Sequence, residues 1–398
     1  MLILLQISIL FIVVTGLSLA NVMGVTFGIT NHKHSIQNLY TTIIPISLNT
    51  LQDTCTNNTK LNSQIQKQLI AKADLTLDQK PHSVIEKRES TPSDNKHDFF
   101  ALAPYRWPNP EKIDGLPYIG HDGIINPEIY SIPDKKNFDD MIYTVKLLSI
   151  SYYITHNDKY ALKATELIRT WFLNADTQMN PNLNYGEVNR GINKINSAGI
   201  MAGRNITGIL ESIDLIKQSP TWTQRDQEAI VSWFEKYLDW LQYSPAGKKE
   251  AEKINNHRTY YNLQVSSIAL FLNKTDIVNK IIKETADSLI PQSIMSDGRQ
   301  PQELKRTKSL YYSVFNLAGL FRLATVADIL GTNLWDYKTK DNAGLKKAIE
   351  FLIPYIDGKR VWNYPQVVPL QKNVLKEMLV LASLHYNDKN YIDICNKF

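Results

Sequence analysis

From about residue 137 to the C-terminus, apolar residues recur at i, i+3, i+4 and i+7, the spacing that gives an α-helix one continuous apolar face. The segments near 137–155, 158–173, 197–217, 224–243, 257–272, 276–290, 309–330, 343–356 and 373–386 all carry it. Thr223 with Asp226 has the form of a capping box, and Asn387-Asp388 that of a helix stop. Strand signals are weak and confined mainly to Val361–Val368. Helices with broad apolar faces and short connections bury those faces as successive antiparallel hairpins, so the pattern predicts an all-α ring or partial barrel. No strict repeat period runs through it, which argues against a regular solenoid.

Upstream the pattern changes. Residues from about 66 to 135 are irregular and include the aromatic, proline-rich run Tyr105-Arg106-Trp107-Pro108-Asn109-Pro110, where X-Pro steps disfavour helix. A structured loop region is expected there, since so many aromatics argue against disorder. Residues 21–65 are polar, rich in Asn and Thr, and read as a lead-in to a domain spanning 66–398. Residues 1–20 carry no charge, are almost all apolar and end in Ser18-Leu19-Ala20, the form of a signal peptide. The missing basic n-region leaves an uncleaved anchor as the alternative, and no second apolar run of that length is read. The expectation is a secreted or periplasmic protein.

Composition changes this picture little. With 43% hydrophobic and 21% charged residues, the 398-residue chain falls in the ordinary globular range. Its net charge of +5 favours an anionic partner but lies far below that of nucleic-acid binders, so no nucleic acid is expected. The two cysteines, Cys55 and Cys395, would form a terminal staple if they pair. They cannot build a zinc site, and the eight histidines show no ligand spacing, so no metal is predicted. Asn57, Asn205 and Asn273 are sequons that would accept N-glycans in a eukaryotic host.

Three stretches carry more polar groups than packing requires: Asn182-Leu183-Asn184-Tyr185-Gly186, Asn255-Asn256-His257-Arg258-Thr259-Tyr260-Tyr261, and Gln300 through Ser313 with Arg306 and Tyr312. Each has a plain structural explanation: a turn, a helix cap, and a solvated basic loop before a core aromatic. The residue types nevertheless form a chemical set. The proton beside a uronate carboxylate is lost only if that carboxylate is neutralised, so the enolate-like dianion must meet amide, imidazolium or guanidinium donors. A base then takes the proton while an acid protonates the departing oxygen, and a tyrosine beside a cation suits either task. Asn256, His257, Arg306 and Tyr312 supply all of these.

At these residues the sequence resembles the alginate lyase superfamily of helical-toroid polysaccharide lyases. The similar stretches are Lys96-His97-Asp98-Phe99-Phe100-Ala101-Leu102-Ala103-Pro104-Tyr105-Arg106-Trp107-Pro108, Met179 to Tyr185, Asn255-Asn256-His257, and Arg306 through Tyr312-Ser313-Val314-Phe315-Asn316-Leu317, in order over about 80–360. The resemblance implies an (α/α) toroid or incomplete barrel, metal-independent β-elimination without a cofactor, and a cleft that takes an anionic polysaccharide. It implies that Asn256 and His257 neutralise the substrate carboxylate, that Arg306 supports them and lowers the Tyr312 pKa, and that Tyr312 is the catalytic acid. Whether Tyr312 or His257 is the base stays open. Tyr105, Trp107, Tyr185, Asn255 and Tyr261 would bind substrate, although Trp107 reads equally well as a core residue.

Arg258 and the basic Asn189–Asn196 loop depart from the family pattern, which keeps glucuronan beside alginate as a substrate. Two other functions remain: a glycoside hydrolase on a helical ring, with Glu303 and Glu187 as its carboxylic acids, and a glycan-binding protein without turnover.

Overall fold

A computed structural model describes residues 61–398 of the chain. The apolar periodicity becomes helix at every segment named above, in two compact units. One comprises residues 78–149 and 158–277, and the other takes the described residues up to 77 together with 150–157 and 278–398. The signal segment, Cys55 and Asn57 lie outside the described residues. A helix, α1 (Leu61–Asp74), begins inside the polar lead-in.

In the first unit the irregular stretch has short strands that the sequence hid: β1 (Phe100–Leu102), β2 (Arg106–Trp107) and β3 (Ile119–Gly120). α2 (Asp134–Thr155), whose residues from 150 onward belong to the other unit, and α3 (Asp158–Ile168) follow, then β4 (Tyr185–Val188). β1 pairs in parallel with β4, Phe100 opposite Tyr185 and Leu102 opposite Val188, while β2 pairs antiparallel with β3. Next come α4 (Thr207–Ile216), α5 (Gln224–Tyr243), α6 (Pro245–Ala251), α7 (Asn256–Phe271) and the start of α8 (Thr275–Glu284). The Thr223–Asp226 capping box opens α5 as expected.

Aromatic rings fill this unit's core. Phe172 meets Trp233 edge to face at 4.8 Å between centroids, and Trp233 stacks on Tyr237 at 5.3 Å. Such pairs contribute roughly 0.5–1.5 kcal/mol each beyond their buried area.

The second unit is built on α11 (Ser309–Ile329), reached through the short helices α9 (Ile290–Ser293) and α10 (Pro301–Leu304). α12 (Leu345–Ile356) and α13 (Lys372–Tyr386) pack on α11, and α14 (Asn390–Cys395) packs on α13. α11 is long and apolar enough to cross a membrane by composition, a second such run beside the N-terminal one. Its apolar window is 83% buried within the protein, as in a core helix. Asn387 ends α13 in the left-handed conformation, as its sequence signal predicted. Cys395 is buried.

The strand expected at Val361–Val368 is corrected. The segment makes one isolated bridge, Gln366 to Lys308, and forms no strand. Its alternating half-buried and exposed positions instead lay it along the start of α11, through Ser309 N–H to the Pro365 carbonyl and Val367 N–H to the Thr307 carbonyl.

Candidate active site

The four catalytic candidates divide two and two: Asn256 and His257 belong to the first unit, Arg306 and Tyr312 to the second. Of the substrate-binding candidates, Tyr105, Trp107, Tyr185, Asn255 and Tyr261 all belong to the first.

Tyr185 is placed by two kinds of anchor, indole donors and a buried ion pair. Along α5, Trp233 donates its indole N–H to the Met179 carbonyl at 2.8 Å, and Trp240 donates to Asn184 Oδ1 at 3.0 Å, pinning both ends of the Met179–Tyr185 stretch. The Lys96–Pro108 stretch is clasped to it: Asn180 N–H donates to the His97 carbonyl, and the Asn180 amide donates to Asp98 Oδ1 at 2.8 Å. Beneath them Lys87 and Asp134 form an ion pair at 2.8 Å, 1% and 0% exposed, and Asp134 also accepts Phe100 N–H. Burial pushes the Asp134 carboxyl up to about 6 against the pull of Lys87, and burial likewise lowers the Lys87 ammonium.

Tyr185 is half-buried at the head of β4 and packs on Phe100, Leu102, Ile132 and Val188. Tyr105 and Trp107 are half-buried too. Trp107 donates its indole N–H to the Ile124 carbonyl at 2.9 Å and sits edge-on to His121. Arg190, from the basic loop, is bonded to Glu128 and Glu89, so its charge is matched by two carboxylates. The amide of Asn205 donates to Asp139 at 3.0 Å, a bond that a glycan on that nitrogen would displace, whereas Asn273 is exposed in the left-handed conformation at the end of α7.

Asn255 caps α7, its side-chain oxygen accepting His257 N–H at 3.2 Å, which leaves Asn256 as the first helical residue. Asn256 is 1% exposed. Tyr261 is buried and donates its hydroxyl to the Leu241 carbonyl at 3.1 Å, which gives it a packing position. His257 keeps 25% of its side chain exposed and bonds through Nδ1 to Glu250 Oε1 at 2.5 Å.

Glu250 is fully buried, a placement forced by Gly247. A Cβ on that glycine would lie 1.8 Å from the Leu241 carbonyl oxygen, so only glycine lets α6 dock so close to the end of α5 and drive Glu250 inward. Sequence reasoning missed Glu250. Its signal was an acid on the same helical face as Ala246 and Gly247, behind two exposed lysines.

Glu187, on β4, lies in the field of His257, Glu250, Arg204 and Lys135. Burial first, and then the Glu250 charge against the pull of His257, push its carboxyl up to about 7. Burial and Arg204 bring the Lys135 ammonium down to about 8, although Asp139 pairs with it. This corner of the unit therefore holds two groups, Glu187 and Lys135, that change charge near neutrality.

On the second unit, Gln300 and Asn316 form a buried amide pair that fixes the turn carrying Arg306. Asn316 donates to Gln300 Oε1 at 2.8 Å, and Gln300 donates to the Ser313 carbonyl at 2.9 Å. The Arg306 guanidinium carbon then lies 3.9 Å from the centroid of the Tyr312 ring, and Lys308 Nζ lies 5.7 Å from it. Tyr312 is 6% exposed. Lys308 was read as part of a solvated loop, but it is buried against Tyr311 and Tyr312. Glu303 is buried in α10, on the other unit from Glu187. Among the described residues no group of three or more His, Cys, Asp or Glu is placed to hold a metal.

Residues 83–362 match the family model for alginate lyase. A solved alginate lyase from Bacteroides ovatus is 32% identical with a TM-score of 0.83, covering 88% of this chain and 93% of that one. An alginate lyase from Pseudomonas syringae pv. tomato is 30% identical over 125 residues, and one from Cobetia marina matches to the same degree. That stretch is 31% of this chain and spans about a third of each curated relative, 32% of its length. Alginate lyase A1-III from Sphingomonas species A1, 15% identical with a TM-score of 0.51 over 82% of this chain and 89% of that one, shares the fold.

Proposed function

The chain belongs to the alginate lyase family, and from that premise we propose that it is a polysaccharide lyase that cuts an acidic, uronate-containing glycan by β-elimination. The observation that carries this reading is the stack of Arg306 on the Tyr312 ring, with Lys308 behind it. A cation over an aromatic face favours negative charge in that ring, so a phenol held this way is suited to give up and retake its proton. In this reading Tyr312, as the phenolate that the neighbouring cations favour, takes the C5 proton and passes it to the departing glycosidic oxygen as the C4–O bond breaks and the C4–C5 double bond forms. Asn256 and His257 donate to the uronate carboxylate, which makes its neighbouring C–H acidic.

Alginate is the substrate that the family points to, with glucuronan as the finer alternative. Elimination needs no metal in this scheme, because amide, imidazolium and guanidinium supply the charge neutralisation. The uncharged first twenty residues support export as part of the same proposal.

The test mixes the purified protein separately with polymannuronate, polyguluronate, glucuronan and hyaluronan and follows the near-ultraviolet absorbance of the C4–C5 double bond. A rise with one polymer, absent in Tyr312→Phe, identifies both lyase and sugar. New reducing ends without absorbance would mean hydrolysis and refute the proposal, and silence in both would leave a binding protein.

A further inference from the structure

We propose that Glu250 is a positioning residue for His257: its buried carboxylate accepts the Nδ1 proton, so the ring is fixed with Nε2 outward and is held cationic when it meets a substrate carboxylate. The inference rests on the proposed lyase activity for its catalytic meaning, but not for its geometry.

Three observations lead to it. His257 Nδ1 and Glu250 Oε1 are direct hydrogen-bond partners, an imidazole–carboxylate pair of the kind that is strengthened when the ring carries charge. Glu250 is fully buried, whereas His257 is partly exposed, so Glu250 acts on the ring from behind while the ring alone reaches solvent. Among the described residues Glu250 Oε2 is buried without a hydrogen-bond partner, and the ion pair that Glu250 makes is the one to His257 through Oε1. A carboxylate buried in this way is costly unless paired, and an imidazolium is the partner on hand.

The backbone around the pair fits the same purpose. Ser244 caps α6 by accepting Gly247 N–H at 3.0 Å, and Asn255 caps α7 at His257 N–H, so both ends of the Glu250–His257 bond are set by a helix cap. The ring cannot turn its Nδ1 outward without stranding a buried carboxylate. Its tautomer is therefore fixed by the hydrogen bond on its far nitrogen, in the way that a buried acid orients a catalytic histidine in other enzymes.

The nearby Glu187, pushed up to about 7, stays largely protonated below neutrality and adds little competing negative charge there, leaving Glu250 as the counter-ion of the ring. Arg204 and Lys135 lie in the field of Glu187 and favour its ionised form.

Two measurements on the full chain test this. Nitrogen-15 NMR of histidine-labelled protein, with the His257 signals assigned by their loss in His257→Gln, should show the proton on Nδ1 and Nε2 as the nitrogen that titrates. In Glu250→Gln the amide oxygen still accepts Nδ1–H but the charge is gone, so kcat on the responsive polymer should fall about 10- to 1,000-fold while KM changes less than threefold. Glu250→Asp, which restores the charge, should recover part of that loss.

A wild-type ring protonated at Nε2 alone would overturn the proposal, as would a Glu250→Gln enzyme with wild-type kcat. A drop in kcat that Glu250→Asp does not lessen, with melting temperature unchanged, would also count against it. The NMR measurement reads the Nδ1 proton whether or not any polymer is cut. A wild-type chain that makes no unsaturated product would thus sink the proposed activity and leave the tautomer to be decided by its own signal.

Discussion

The side-chain oxygen of Asn255 accepts the backbone N–H of His257 at 3.2 Å, so of two adjacent amides one is spent on starting the helix and the other, Asn256, is buried as its first residue. Asn255→Ala should lose about 1 kcal/mol of stability, and Asn255→Ser should keep most of it, since serine caps as well as asparagine. Urea unfolding measures both. A KM for Asn255→Ser equal to wild type would show that the residue serves the cap, while a raised KM at full stability would show that it also binds sugar.

Arg306 and Tyr312 give a graded prediction. Tyr312→Phe should reduce turnover at least about 100-fold with its helical signal intact, because it removes the proposed acid. Arg306→Lys keeps the charge but not the flat stack and should cost about 3- to 30-fold, the rate equivalent of roughly 0.5–2 kcal/mol. Initial rates of near-ultraviolet absorbance read both, and a fully active Arg306→Lys would deny the stack any part in catalysis.

Glu187 makes stability depend on pH in a stated direction. Its carboxyl is raised from an ordinary 4.5 to about 7, so between those values the unfolded chain has released a proton that the folded chain retains. The folded state is thus progressively penalised as pH rises from about 4.5 to 7, and the whole penalty is present above that window. Glu187→Gln should stabilise the protein at pH 8, on the order of 1–3 kcal/mol, and leave it nearly unchanged at pH 4.5. Melting curves at the two values decide it, and an equal shift at both would contradict the assignment.

The helical part of this fold is legible from spacing alone because each long helix buries one face, and at Thr223 and Asn387 the end signals are local too. What sequence could not show depends on distant partners. β1 is three residues long and meets β4 across the whole of α2 and α3, so neither strand carries an alternating pattern long enough to notice. Val361–Val368 has that pattern but lies against a helix start, with a single bridge. Among the candidate residues, Asn256, His257, Arg306 and Tyr312 stand out in the sequence because their polarity breaks an apolar rhythm. Glu250 does not, since an acid beside Lys248 and Lys249 looks like ordinary surface until Gly247 is seen to press it inward.

Arg190 bonds to both Glu89 and Glu128, and Tyr118 donates to the same Glu128 at 2.7 Å, which ties the loop carrying Tyr105 and Trp107 to the β4 side of its unit. Arg190→Met should release that loop. Trypsin should then cut after the exposed Lys112 several-fold faster than in wild type, because cleavage of a loop follows its local opening. Equal digestion rates would show that the loop is held by other means.

The pairing of β1 with β4 also sets an order of events for a newly made chain. Helices such as α2 and α5 need only near neighbours in sequence, but Phe100 cannot find Tyr185 until the chain between them has collapsed, and closing so long a loop is entropically slow. The clasp of His97 to Asn180 waits on the same closure. Far-ultraviolet circular dichroism should therefore recover early on dilution from denaturant, with enzymatic competence returning later, so that a helical yet inactive species is the form most exposed to aggregation during synthesis.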